Sequence, residues 1–434
     1  MIKWKGSWLS KAVLTGMVAG LILSGSQFSG QAEASKENSC FDPTVKETLE
    51  EQRIKDGAPI PQQILEVTNF DQFIDKFNKD LCSSPNVDQA LKAIETNGTQ
   101  LWRTAVDRAQ GKRPDLGDLD RYDDRPLYWA RLYMVLSVRQ WNPKFEVSDE
   151  KRKELIKRLE YNSRGISSID FPSGKGVKRI LVSGFDPYQL EQEFRRSNPS
   201  GASALQLDGL KVMTEDGPAF VQAVNFPVRW QDFEDGIVED SFAPYLIQGK
   251  QRADLIMTIS QGGPRRMAIE GYAGRWHTGR DNAMETRAEV VPTVTHWPMP
   301  LEQPEFIETT LPYQEMIEAG TGPWTVMRND RVCELRPPDF SNPQVCKDDG
   351  PTPGSIARSG GGGAYLSNES MYRSNRVRLG LGAYDVPGGH LHISALEFYP
   401  ADKTVYIDHP FQNHRQVTVD QTVELVKVAA RAIH

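Results

Sequence analysis

Four short segments of this chain carry residue types that, brought together, make a nucleophilic site. Ser367 stands in Tyr365-Leu366-Ser367-Asn368, just after the glycine run Gly360 to Gly363. His392 stands in Gly389-His390-Leu391-His392-Ile393. Glu270 closes Ala268-Ile269-Glu270, downstream of Ser260-Gln261-Gly262-Gly263. A hydroxyl, an imidazole and a carboxylate are the nucleophile, base and orienting group of an acyl-transfer triad. Glycine runs leave backbone N–H groups free to face a developing oxyanion. Each segment also has a plain structural reading. A serine after glycines marks a turn or a helix start, and a histidine in an apolar strand is a core or surface residue. The glycine run has the look of a phosphate cradle, yet it lacks the Gly-Lys-Ser/Thr ending of a P-loop. His390 and His392 share one face of a strand, but no His-Glu-x-x-His or Cys-x-x-Cys accompanies them. No metal and no cofactor is expected.

The elements that must position these residues are legible around them. Arg179 to Ser183 is a short apolar run that ends in Gly184-Phe185-Asp186-Pro187-Tyr188. Phe220 to Phe226 and Leu255 to Ile259 are further runs of this kind, and Asp232 to Leu246 has helical spacing. The chain closes on a helix from Val419 to Ile433, with Val423, Val426, Ala430 and Ile433 on one face. Strand–helix alternation predicts an α/β, three-layer domain with a mostly parallel twisted sheet between helices. Ligands of such sheets gather beyond the carboxyl ends of the strands, where the segments above fall.

In chain order, Gly184-Phe185-Asp186-Pro187-Tyr188, Asn198-Pro199-Ser200, Phe226-Pro227-Val228, Ala268-Ile269-Glu270, Arg280, Tyr365-Leu366-Ser367-Asn368 with Tyr372 beyond it, and Leu391-His392-Ile393 resemble the motif series of the pyroglutamyl peptidase I family. Those proteins are cysteine peptidases that remove an N-terminal pyroglutamate. The resemblance runs from residue 178 to about 433. It implies a hydrolase acting on a peptide or small amide, with Ser367 attacking, His392 moving the proton and Glu270 orienting the imidazole. It further implies that Arg280 and the Gln261-Gly262-Gly263 turn shape the oxyanion region, and that Phe185 and Tyr188 contact the lactam ring. Two departures stand out. Ser367 replaces the family's cysteine, and a serine needs its base to take the proton during attack, whereas a thiol ionises readily. An insertion at about 291–354 alters access; nine prolines and two cysteines fall between Pro292 and Cys346. Two readings stay open: a serine-type enzyme cleaving the amide at an N-terminal pyroglutamyl or related group, and a catalytically inactive binding protein.

Residues 1–34 read as a secretory signal peptide. Lys3, Lys5 and Lys11 precede a short apolar run from Ala12, and Ala32-Glu33-Ala34 is a cleavage signature before Ser35. A secreted or periplasmic protein without a membrane segment after cleavage is expected; the alternative is an uncleaved anchor. Export favours the disulfides Cys40–Cys82 and Cys333–Cys346 over four free thiols. Residues 35–170 carry period-3.6 patterns, as at Phe70, Phe73, Ile74 and Phe77, and predict a helical N-terminal domain with a packing or partner-binding role. Glycines and Pro172 mark a linker before the α/β domain of 171–434. The net charge of −7 lacks the basic footprint of a nucleic-acid binder. Asn97-Gly98-Thr99 and Asn368-Glu369-Ser370 fit the glycosylation triplet.

Overall fold

The structure, a computed structural model, describes residues 40–397 and 399–433. The expected signal segment and its cleavage site lie outside the described residues. The chain first forms six helices: α1 (Leu49–Asp56), α2 (Ile60–Val67), α3 (Asp71–Cys82), α4 (Val87–Ala109), α5 (Arg125–Gln140) and α6 (Asp149–Asn162). Side-chain caps start three of them. Thr48 and Glu51 close a capping box on α1, and Asn86 and Ser148 cap α4 and α6. Helical spacing turns Ile74, Phe77 and Leu81 to one side of α3, where they join Leu101, Trp129 and Leu159 in a common core. Leu190 and Leu205, from the region after the linker, belong to that same core. The described residues accordingly form one compact unit.

The main sheet has seven strands. Five come early: β1 (Lys178–Phe185), β2 (Lys211–Thr214), β3 (Gly217–Phe226), β4 (Leu255–Pro264) and β5 (Arg266–Glu270). The others are Thr325–Asn329 and Gly388–Ala395. Across the sheet the order is Thr325–Asn329, β5, Gly388–Ala395, β4, β1, β3, β2. The contacts of β1 with β3 and β4, of Gly388–Ala395 with β4, and of Thr325–Asn329 with β5 are parallel. β5 runs antiparallel to Gly388–Ala395, and β2 to β3. The expected α/β class with a mostly parallel sheet between helices is what forms. Alternation sends Ile180, Val182, Leu391 and Ile393 to one face, against α7 (Pro199–Leu207) and the last helix, His409–Ala432. Leu181, Phe185 and Ile256 face the other layer, with Phe233, Phe242 and Val377. Both faces are covered, which is why the central strands read as continuous apolar runs.

The Pro-rich stretch contributes more structure than its sequence announces. Thr325–Asn329 supplies the edge strand of the main sheet. Val332–Leu335 pairs with Val345–Lys347 and with Ile356–Ser359 in a small antiparallel sheet. These strands span three to five residues, too short for a period to stand out. Cys333 and Cys346 face each other across the small sheet and are bonded, as are Cys40 and Cys82. Ile356–Ser359 runs straight into the glycine run, so the stapled sheet anchors that loop. No helix among the described residues is long and apolar enough to cross a membrane.

Candidate active site

His392 lies on Gly388–Ala395, between β4 and β5, and Glu270 is the last residue of β5. Their side chains meet, with His392 Nδ1 2.6 Å from Glu270 Oε1. The other carboxylate oxygen accepts from Asn329 Nδ2 at 2.8 Å, and the same amide donates to the Gly361 carbonyl at 2.7 Å. Glu270 is only 2% exposed, so these bonds replace its lost water. A carboxylate on Nδ1 assigns the ring proton there and leaves Nε2 as the basic nitrogen.

Ser367 is the second residue of the helix Leu366–Gly380. Its Oγ donates to the Gly362 carbonyl at 3.4 Å. The loop before it packs against the histidine–glutamate pair. A Cβ on Gly362 would sit 2.6 Å from His392 Cε1, and one on Gly361 would sit 2.3 Å from Glu270 Oε2. Only glycine permits this approach. Ser367 and His392 therefore flank the same backbone turn, and Ser367, His392 and Glu270 line one cleft of about 380 Å³.

The helix bearing Ser367 is held by polar contacts at almost every turn. Asn368 brackets the backbone of Gly274, accepting from its N–H at 2.8 Å and donating to its carbonyl at 2.9 Å. Glu369 pairs with His277 and Arg373, each at 2.6 Å, and Arg373 and Arg376 both reach Glu239. All of these side chains are buried. Asn368 and Asn97, the two glycosylation-triplet asparagines, are thus interior residues engaged in hydrogen bonds.

Phe185, Tyr188, Gln261, Gly262 and Gly263 line the cleft too. Phe185 is mostly core, stacked 6.0 Å from Phe233 and edge-on to Phe226. Arg280 is elsewhere. It ends the strand Trp276–Arg280, whose alternation buries His277 and turns Thr278 and Arg280 outward. Its carbonyl accepts from the Tyr365 hydroxyl at 2.9 Å, but its side chain is not part of the cleft lining.

The structure gives contacts to residues that the motifs left without a role. Asn329, from the Pro-rich stretch, is one. Ser260 is another: its Oγ lies 2.7 Å from His390 Nε2, while Thr258 Oγ1 lies 2.7 Å from His390 Nδ1. Both ring nitrogens of His390 are thus taken by hydroxyls. Burial, and secondarily the neighbouring His392, hold His390 well below the usual imidazole range. The matched two-residue spacing of Thr258/Ser260 and His390/His392 was the available signal, since period two puts each pair on one face.

Asn198, on the cleft wall, rests on Asp124, which accepts from its backbone N–H at 2.9 Å and also holds the Ser197 hydroxyl. Burial and the adjacent Asp123 carboxylate push Asp124 up to about 7 from an ordinary 3.8. A carboxyl whose folded pKa is raised binds more protons folded than unfolded between those values. Its stabilising contribution is whole below about 3.8 and is lost as pH rises to about 7. Asp124→Asn should therefore flatten the decline of the unfolding midpoint across that interval relative to the native chain. Denaturant titrations at several pH values check this; parallel curves for the two proteins would refute it.

Comparison with known proteins places this geometry in context. Residues 31–160 match the family model described as the PA0049 N-terminal domain, and residues 179–301 and 328–397 match the PA0049 C-terminal domain. The uncharacterized protein PA0049 of Pseudomonas aeruginosa is 29% identical over 479 aligned positions, covering 87% of this chain and 86% of that protein. Among solved structures, a mutant pyrrolidone carboxyl peptidase from Pyrococcus furiosus is 20% identical, covering 58% of this chain and 97% of its own, with a TM-score of 0.39. Pyroglutamyl peptidase I from Bacillus amyloliquefaciens is 18% identical over 59% of this chain and 96% of its own, with a TM-score of 0.38. The chain is similar to PA0049 along most of its length, through the helical segment as well as the sheet.

Proposed function

We propose that the protein is an exported hydrolase that cleaves the amide bond of an N-terminal pyroglutamyl or related group, using Ser367, His392 and Glu270. The observation that carries this reading is the buried Glu270–His392 pair opening onto the cleft that Ser367 lines. Ser367 attacks the acyl carbon while His392 Nε2 takes its proton, and Glu270 stabilises the imidazolium. The proton then passes to the leaving amine, and water repeats the sequence to free the acid. Gln261–Gly263, expected as a turn, run on within β4, and the N–H groups of Gly361 and Gly363 already donate to the Tyr272 and Gly360 carbonyls, so the end of β4 and the Gly362 N–H are the candidates for holding the oxyanion. Phe185 and Tyr188 supply the apolar wall for a small ring, which the motif resemblance implies is a lactam. The two disulfides and the signal-like first 34 residues support an extracytoplasmic site of action.

A second reading, a catalytically silent binding protein, draws on one specific contact: the Ser367 hydroxyl donates to the Gly362 carbonyl. Turnover separates the two. The native, oxidised chain is expected to release the chromophoric amine from a pyroglutamyl-amide reporter. No release above the uncatalysed rate, at any pH from about 5 to 9, would sink the enzyme reading.

A further inference from the structure

The loop that carries Phe185 and Tyr188 is held from outside the sheet. Between them sits Asp186, buried, with both carboxylate oxygens engaged. Arg131 Nη1, from α5, reaches them at 2.8 and 3.0 Å. Arg164 Nη1, just after α6, donates to Oδ2 at 2.6 Å, and Asn225 Nδ2 donates to Oδ1 at 2.7 Å. Both arginines are about 2% exposed, and Arg131 is itself fixed by the hydroxyl and carbonyl of Ser163. The backbone is gripped as well. The Asp186 carbonyl accepts from Asn198 Nδ2 at 2.9 Å, and the Pro187 carbonyl accepts from Asn282 Nδ2 at 2.9 Å. Asn198 leans in turn on Asp124, at the start of α5. Every one of these groups is interior, and two guanidiniums converge on one carboxylate, each through a single nitrogen.

We infer that Arg131 and Arg164 are positioning residues of the cleft, which set the Phe185–Tyr188 wall through Asp186 and make the helical segment a working part of the ligand site. The inference rests on the proposed reading only in taking the cleft as the place where the ligand ring binds. A segment that only covered an outer surface would need apolar contacts and rim charges. This one sends two buried cations under the single acidic residue between two cleft-lining aromatics. Such an arrangement controls where the rings stand and leaves the Ser367–His392–Glu270 chemistry to other elements. Loss of the clamp should therefore weaken ground-state and transition-state binding alike.

The test uses the full, oxidised chain with Arg131→Gln, with Arg131→Lys, and with Arg131→Gln combined with Asp186→Asn. The combined variant removes one buried charge of each sign, so it keeps the interior balanced if the single change fails to fold. Two readouts are taken. With a pyroglutamyl-amide reporter, Arg131→Gln should raise KM about tenfold while kcat falls less than about threefold, and Arg131→Lys should recover part of the loss. By amide hydrogen exchange, Phe185 and Asp186, whose N–H groups are bonded to Ser200 Oγ and the Phe226 carbonyl, should lose protection selectively. Ile256, bonded to the Pro387 carbonyl in the sheet centre, should keep its protection. An unchanged KM overturns the inference. So does protection lost equally at all three amides, which marks a merely global loss of stability. If the native chain turns over no reporter, the proposed function fails by itself, and the exchange pattern alone decides the clamp.

Discussion

Ser367→Ala is expected to remove turnover, lowering kcat by a factor on the order of a million, as loss of a sole nucleophile does when base and nucleophile act as a unit. KM should hardly move, because the Ser367 side chain makes one long contact, to the Gly362 carbonyl at 3.4 Å. Active-site titration and single-turnover kinetics on the purified chain give both numbers. Ser367→Cys is the more informative partner. A thiol beside the His392–Glu270 pair ionises far more easily than a hydroxyl. If the cleft retains room for sulfur, the cysteine variant should form an acyl-enzyme at least as fast as the native protein. If Gly361 and Gly362 have closed the loop around an oxygen-sized group, it should be slower. Activity confined to the cysteine variant would mean that the native protein is silent, and the enzyme reading would fall while the site geometry stood.

The second large effect belongs to Glu270→Gln, which should lower kcat by about 10⁴ with the fold intact. The reason is a hydrogen-bond constraint. Asn329 Nδ2 donates to Glu270 Oε2 at 2.8 Å and to the Gly361 carbonyl at 2.7 Å, and a nitrogen bearing protons cannot accept from another. A glutamine at 270 must therefore turn its oxygen toward Asn329 and its NH₂ toward His392 Nδ1. That forces the imidazole proton onto Nε2, and the nitrogen facing the cleft ceases to be a base. Adding Asn329→Leu should return some of the lost rate, since it frees the amide to turn and restores the Nδ1–H tautomer. An unchanged kcat in Glu270→Gln would remove Glu270 from the mechanism.

What the sequence disclosed, and what it withheld, follows from the range of the forces involved. The histidine, glutamate and serine segments were legible because glycine runs and apolar strands are local patterns, fixed by backbone sterics and burial over a few residues. The helical spacing of α3 and the alternation of β1 were legible for the same reason. Arg280 came from the motif resemblance alone, and a resemblance does not say which face of a short hairpin strand a side chain takes; alternation from His277 turns it outward. Asn329 was hidden in three-to-five-residue strands among prolines. The Asp186 clamp was hidden by distance. Arg131 stands 55 residues before its partner, and no periodicity links a buried cation on one helix to a carboxylate at the end of a strand. Charges of that kind look like solvated surface until the fold closes over them.

The helix Leu366–Gly380, which carries Ser367, has an implication for how this protein can change over generations. Glu369, Arg373, Arg376, Glu239 and His277 form a continuous interior network with both signs of charge. Removing one member strands its partner in a low-dielectric interior, at about 3–5 kcal/mol, whereas replacing a set with well-packed apolar residues is often neutral or better. A marginally stable protein does not survive many losses of the first kind. The network is therefore a lock on drift. Descendants of this sequence can leave it only by exchanging several of these residues together, and single intermediates along that route will be purged for stability before their effect on Ser367 is ever tested.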